Sequence, residues 1–332
     1  MQLTGPVTLG ISSSLGMMSG DATTTLLGNT TIGGPNAFGM DAKRVLRNEG
    51  NVLLVGSIQL NRTNAVGAGR IENAASGVID VQTFNLAIAS ADQGVLDRGL
   101  DARFDNAGLL KKSTGVGSYT IAVPVFNTGT VWVQAGAFNF SGGLAGQSGT
   151  IHVSAGTNFT VAGTLDNHGV LQGEGTITAA NIINHGVVAP GQSPGTLTLA
   201  AAFVQASDGR LAIELASTAS FDSLVVSGTS ALGGTLELSA YGGYVPTVGD
   251  SFLILTSTGA LSGSFSGSPL LFGFAPGVAF GVAYDYAAHT VRLNVLAVPE
   301  PATLALWLVG IGLIGLIGLN GAAGGDRRDR HP

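Results

Sequence analysis

Asn127-Thr128-Gly129-Thr130-Val131-Trp132-Val133-Gln134-Ala135-Gly136-Ala137-Phe138-Asn139-Phe140 is the stretch that decides the fold. Val131 and Val133 fall on one side of an extended chain and Trp132 and Gln134 on the other, the period-two pattern of a strand with one buried face. The parity changes across Gly136, after which Phe138 and Phe140 carry the apolar side. A glycine at a parity change suits a corner between two short strands, because the chain must bend and re-aim its apolar face. Strands joined at corners make a coil, and one coil cannot bury its inward residues alone. Stacking neighbours can, with inward Val, Leu, Ile and Phe forming a continuous core.

The punctuation of this stretch recurs. Asn-x-Gly stands at Asn48-Glu49-Gly50, Asn106-Ala107-Gly108, Asn127-Thr128-Gly129, Asn167-His168-Gly169 and Asn184-His185-Gly186, with a looser copy from Asn73 to Gly77. Successive intervals of 25, 33, 21, 40 and 17 residues cluster about one or two turns of a solenoid of roughly twenty residues per coil. Gly-Thr-aliphatic triplets begin at Gly129, Gly149, Gly163, Gly175, Gly195 and Gly234 and read as strand starts. The expected fold class is all-β, a β-helix or β-solenoid ectodomain followed by a single C-terminal apolar helix. A β-sandwich or jelly roll with Gly-rich turns is the competing architecture.

Composition agrees. Of 332 residues, 52 are Gly and none is Cys, charged residues make up 10%, and the formal net charge is −6. Ordinary soluble proteins carry roughly 25% charged residues. Such a chain suits strands and tight turns in which Gly and Asn supply positive φ. Disulfides and Cys-based metal or redox sites are excluded. Without a Lys/Arg cluster ahead of the last residues there is no footprint for a phosphate backbone, so nucleic acid is not an expected partner.

The C-terminus has three zones. Val298-Pro299-Glu300-Pro301 leads into an apolar run carried by Ala302, Leu304, Leu306, Trp307, Leu308, Ile311, Leu313, Ile314, Leu316, Ile317 and Leu319, and Arg327, Arg328 and Arg330 follow. As a helix, Ala302 to Leu319 would measure about 27 Å, close to the hydrocarbon thickness of a bilayer. Basic residues beyond it favour a cytoplasmic end, which leaves the body outside the inner membrane. Pro299 and Pro301 hold the approach extended.

This order of Pro-Glu-Pro, apolar span and Arg-rich end resembles the PEP-CTERM sorting signal of Gram-negative bacteria. The resemblance implies recognition by an exosortase, a membrane cysteine protease-transpeptidase, with cleavage near Pro299 to Pro301. One departure is that Asn320 to Asp326 separate the span from the Arg cluster, and Asp326 and Asp329 dilute its charge. Phe104 to Lys112, Asn127 to Gly143 and Ala189-Pro190-Gly191-Gln192-Ser193-Pro194-Gly195-Thr196-Leu197 resemble β-helical repeats of autotransporter-like surface proteins, a resemblance that covers residues 45 to 260 and more specifically 104 to 240. Gly209 to Leu215, Phe221 to Gly228 and Gly233 to Leu238 look like terminal passenger coils of that kind, and Gly249 to Leu255 with Val291 to Leu296 read as closing strands. These motifs imply architecture and location, not a reaction.

Four regions are expected: residues 1–45 as an N-terminal β region, 46–200 as β-helical repeats, 201–297 as terminal coils and closing strands, and 298–332 as the sorting signal. Met1 to Gly20 contains no Lys or Arg and no apolar core of signal-peptide form, so the true start is expected upstream.

Candidates for chemistry are sparse. Asp166 and Glu174 are a candidate carboxylate pair if adjacent coils bring them within roughly 5–10 Å, although Asp166 as a turn cap and Glu174 as a solvated residue explain them equally well. His168 and His185 share an Asn-His-Gly context and would superimpose on stacked coils, but two imidazoles without further ligands make a poor metal site. His152, between Ile151 and Val153, reads as outward-facing. No G-x-S-x-G, HExxH, Walker or Rossmann signature is present. No catalytic residue, metal or cofactor is therefore expected. The reading is a noncatalytic, exported structural or adhesin-like surface protein, anchored at the inner membrane before processing. Its expected partners are an exosortase-type enzyme and that membrane, with extracellular polysaccharide the candidate beyond it. The alternative is a β-helical polysaccharide lyase or hydrolase.

Overall fold

A computed structural model describes residues 1–10, 17–34, 36–61, 67, 69–82, 85–90 and 102–297. Among them the secondary structure is strand throughout, arranged as three sheets of seven, thirteen and sixteen strands whose neighbours come from successive coils. As far as Val161 each coil gives one strand to each sheet: Val125–Asn127, Thr130–Val133 and Ala137–Phe140 make one coil, and Leu144–Gln147, Thr150–Val153 and Asn158–Val161 the next. The pairing is parallel and in register, Thr130 on Thr150 and Val133 on Val153, for example. The chain is thus a β-solenoid with three faces.

The expected corner is present. Val131, Val133, Phe138 and Phe140 are all fully buried, and Gly136 between them has φ +59°. All six Gly-Thr-aliphatic triplets begin a strand at their Thr. Down the second face the inward column runs Val52, Ile79, Leu110, Val131, Ile151, Leu171 and Val188. Each such side chain removed from water contributes roughly 1.5–3 kcal/mol. On the third face Phe140 meets Phe138 and Phe159 edge to face, at 5.1 and 4.9 Å between centroids, the arrangement that aromatic quadrupoles favour.

The Asn-x-Gly corner works differently from the turn chemistry expected of it. None of its Asn residues has positive φ, and neither do its glycines. Asn48, Asn73, Asn106, Asn127, Asn167 and Asn184 point inward and are at most 1% exposed. They stack as a ladder of amides that also includes Gln147 and Gln205: each donates to the side-chain oxygen of the next, at 2.7 to 3.4 Å. The glycines stack beside them because they come too close for a side chain: a Cβ on Gly149 would collide with the carbonyl oxygen of Gly129, and one on Gly169 with that of Gly149.

Towards the C-terminus the first and third faces merge. Thr176–Asn184 pairs through its first half with Asn158–Val161 and through its second with Thr164–Asn167. The parallel stack of the third face then ends in antiparallel pairing, Ser251–Ser257 with Thr290–Leu296 and the latter with Ala279–Asp285. This hairpin covers the last coil with Phe280, Leu293 and Val295, all buried.

Candidate functional site

Among the described residues the candidate His, Asp and Glu side chains fall into two constellations on the outside of the solenoid. The first follows from the stacking of the Asn-His-Gly corners. His168 and His185 stack with ring centroids 4.8 Å apart and planes 8° from parallel, the spacing of neighbouring strands. Asp166 Oδ1 lies 3.4 Å from His168 Nε2 and 3.8 Å from His185 Nε2. Asp208 accepts from His185 Nδ1 at 2.8 Å, and this bond holds the Asp208 carboxyl below its ordinary range. The column is exposed, with Asp166 and Asp208 side chains 57% and 65% accessible. Among the described residues no group of three or more His, Asp or Glu is arranged to hold a metal ion.

The second constellation is a cleft of about 330 Å³ on the second face, under the loop of residues 191–195. Its floor is the outward column of that face. Trp132, His152, Gln172 and Ala189 occupy one register position on four successive coils. The Trp132 indole stacks on the His152 ring at 5.2 Å and donates from Nε1 to Ser154 Oγ at 3.1 Å. The loop hangs over this column because both its ends are tied down. Gly191 donates to the Gly173 carbonyl at 2.8 Å, and Gly195 N donates to Asp222 Oδ1 at 2.8 Å. Between the ties Gln192 and Ser193 are exposed, and Ser193 takes φ +75°, an uncommon conformation for a residue with a Cβ.

Asp222 is the keystone of this cleft. It is 2% exposed, and its second oxygen accepts from Glu214 N at 2.8 Å. Burial pushes its carboxyl up to about 7, against the pull of the two backbone amides and with help from the Glu214 and Glu174 charges. His152 does face outward, yet it is only 9% exposed, and its Nε2 has no hydrogen-bond partner. Burial lowers its pKa, with the Glu174 charge opposing, so the imidazole is neutral at pH 7.

The carboxylates anticipated as a pair therefore have separate surroundings. Asp166 sits beside the two histidines. Glu174 packs against Gly195 and acts electrostatically on His152 and Asp222. Glu214 and Asp222 stand in the stretches that read as terminal coils, Gly209 to Leu215 and Phe221 to Gly228, and nothing there singles either out as a site residue. The loop gave no signal by its length, since residues 191–195 link two strands with the same five residues as 113–117 do.

Among the described residues no helix is long and apolar enough to cross a membrane. Val298 to Pro301, the run from Ala302 to Leu319 and Arg327, Arg328 and Arg330 lie outside the described residues. Residues 297–323 match the PEP-CTERM protein-sorting motif. No curated protein matches the chain. The motif marks the chain for export to the cell surface with a C-terminal membrane anchor, and for recognition by an exosortase.

Proposed function

We propose that this is a noncatalytic surface protein whose solenoid serves as a rigid spacer and adhesive face beyond the inner membrane, in contact with extracellular polysaccharide. The observation that carries this reading is a junction. The capping hairpin's last strand ends at Leu296 and the sorting motif begins at residue 297, so the strand that closes the solenoid leads directly into the motif. Within that tether Val298-Pro299-Glu300-Pro301 is the processing site, Ala302 to Leu319 the span, and Arg327, Arg328 and Arg330 the cytoplasmic end. Stacked parallel coils with a continuous core resist bending and suit a spacer.

The test is the mass and location of the protein in its native cells with and without exosortase. Shortening of the chain and release from the inner membrane only when the enzyme is present is the expected result. The same mass and the same membrane retention in both strains would refute the sorting half of the reading.

The lyase or hydrolase alternative draws support from Glu214 and Asp222 lining one cleft, since a carboxyl with a raised pKa is what a general acid needs. Against it, both Asp222 oxygens already accept backbone amides, and among the described residues no Lys or Arg lines the cleft. Polysaccharide panels monitored for new reducing ends or unsaturated products decide between the two, and sustained turnover would establish the alternative.

A further inference from the structure

We propose that the cleft beneath the loop of residues 191–195 binds a hydroxyl-rich, amine-bearing ligand, a segment of a glycan with free amino sugars. The proposal deepens the adhesive half of the function above and rests on it; it does not depend on sorting.

The site is built rather than incidental. The loop is pinned at Gly191 and at Gly195 over a rigid strand floor. His152 lines the cleft, the residue 9% exposed and its Nε2 unpartnered, although buried polar atoms in folded proteins are nearly always hydrogen-bonded. That nitrogen is closed to water, so the polar contacts open to a ligand in the cleft are those of the groups around it.

The rest of the lining selects among hydroxyl-rich ligands. The amides of Gln172 and Gln192 and the hydroxyl of Ser193 both donate and accept, a mixed set suited to sugar hydroxyls. A volume of about 330 Å³ falls at the small end of ordinary ligand sites, so a short segment fits. Charge then decides the class. Glu214 lines the cleft, Glu174 stands within electrostatic reach, and among the described residues no Lys or Arg side chain lines it to offset them. An acidic sugar, a phosphate or a sulfate is repelled. An ammonium group on a sugar is attracted to Glu214 and gains charge-assisted hydrogen bonds. A bare divalent cation is the weaker candidate, because no group of three His, Asp or Glu ligands is assembled among the described residues.

The experiment is isothermal titration of the full-length chain in detergent with three tetrasaccharides: glucosamine, N-acetylglucosamine and galacturonate. The expected result is binding of the glucosamine tetramer, at least tenfold weaker binding of the acetylated tetramer, and none of the galacturonate. Glu214→Gln keeps the side-chain shape and is expected to lower affinity for the glucosamine tetramer at least tenfold without changing the melting temperature. Gln192→Ala, on the exposed part of the loop, is expected to weaken it several-fold and serves as the second variant should Glu214→Gln fail to fold. Equal binding of the acetylated form, binding of galacturonate, no binding of glucosamine, or full affinity in both variants would each overturn the proposal. If the glucosamine tetramer binds and is also cleaved, the site assignment holds and the noncatalytic reading falls. If none of the three binds, the site assignment falls and the sorting test is untouched.

Discussion

Asn106 on one coil donates from its side-chain amide to the side-chain oxygen of Asn127 on the next, at 2.7 Å, with both residues 1% exposed. The same amide also reaches the backbone carbonyls of Gly108 and Thr130, at 3.3 and 3.2 Å. The side chain therefore joins its own corner to the coil below. Repeated along the stack, this bond fixes register: a slip by two residues, the smallest that keeps the inward side chains inside, would place an amide among aliphatic neighbours and leave it unpaired.

An interior rung is expected to matter far more than the last one. Asn127→Leu orphans Gln147 Oε1, to which Asn127 donates at 2.7 Å, and removes the acceptor of Asn106. The expected loss is about 2–4 kcal/mol. Gln205 ends the ladder with its Nε2 already unpartnered, and Asn184 keeps the carbonyls of Gly186 and Arg210 without it. Gln205→Leu is expected to stay within about 1 kcal/mol of the wild type. Urea denaturation of both variants checks the contrast, and equal losses would remove the ladder's claim to a special role.

Glycines of two kinds should respond differently to alanine. At Gly149 the obstacle is the backbone of the coil above, which cannot move without unstacking, so Gly149→Ala is expected to cost more than about 3 kcal/mol. At Gly156 nothing lies within 4 Å and the obstacle is φ +71° alone. Gly156→Ala is expected to cost about 1 kcal/mol. Thermal melts of the two variants measure the difference.

The sequence made the corners legible and hid what they do. Val131 to Phe140 revealed strand, glycine and strand because parity is a local property. The Asn residues read as turn formers, yet each stands two positions after a buried apolar residue, as in Leu46-x-Asn48 and Phe104-x-Asn106, so alternation already placed them inside. Gln147-Ser148-Gly149 passed unrecognised because Gln stands in for Asn, and this explains the gap of 40 residues: the true steps are 20 and 20. The cleft was not legible at all. Its parts come from positions as distant as His152 and Asp222, and no local pattern announces that a loop will be pinned across them.

Lys112 sits where alternation demands an apolar residue, on the inward rung next to Val133, and is fully buried. Its ammonium donates to the carbonyls of Thr114, Gly115 and Ala135, at 3.0, 2.5 and 2.6 Å, and lies 4.0 Å from the Tyr119 ring centroid. The segment 113–117 is thereby tied to two coils. Lys112→Met keeps the apolar stem and removes the donors, with an expected loss of about 2–4 kcal/mol. Limited proteolysis should then cut near Val116, which is 98% exposed, faster than in the wild type.

Asp222 gives the fold a pH dependence of unusual sign. Its carboxyl is raised from 3.8 to about 7, so between those values the folded chain holds a proton that the unfolded chain has lost. Its contribution to stability is therefore full below about pH 4 and is lost as the pH rises through 7, by up to ~4 kcal/mol. His152 works the other way, since its lowered pKa makes the folded state gain stability as the pH rises through 6.5. Asp208 and Asp250, whose pKa values are lowered, lose their contribution only as the pH falls below the ordinary carboxylate range, outside this window. Comparison with Asp222→Asn isolates the one group, because the variant keeps an acceptor oxygen and has no proton to lose. The stability difference between wild type and variant, from urea midpoints at pH 4.5, 6 and 7.5, is expected to shift steadily against the wild type as the pH rises. A difference that stays constant across the three would show that Asp222 titrates in the fold as it does in water, and that the ties to Gly195 and Glu214 hold an ordinary carboxylate.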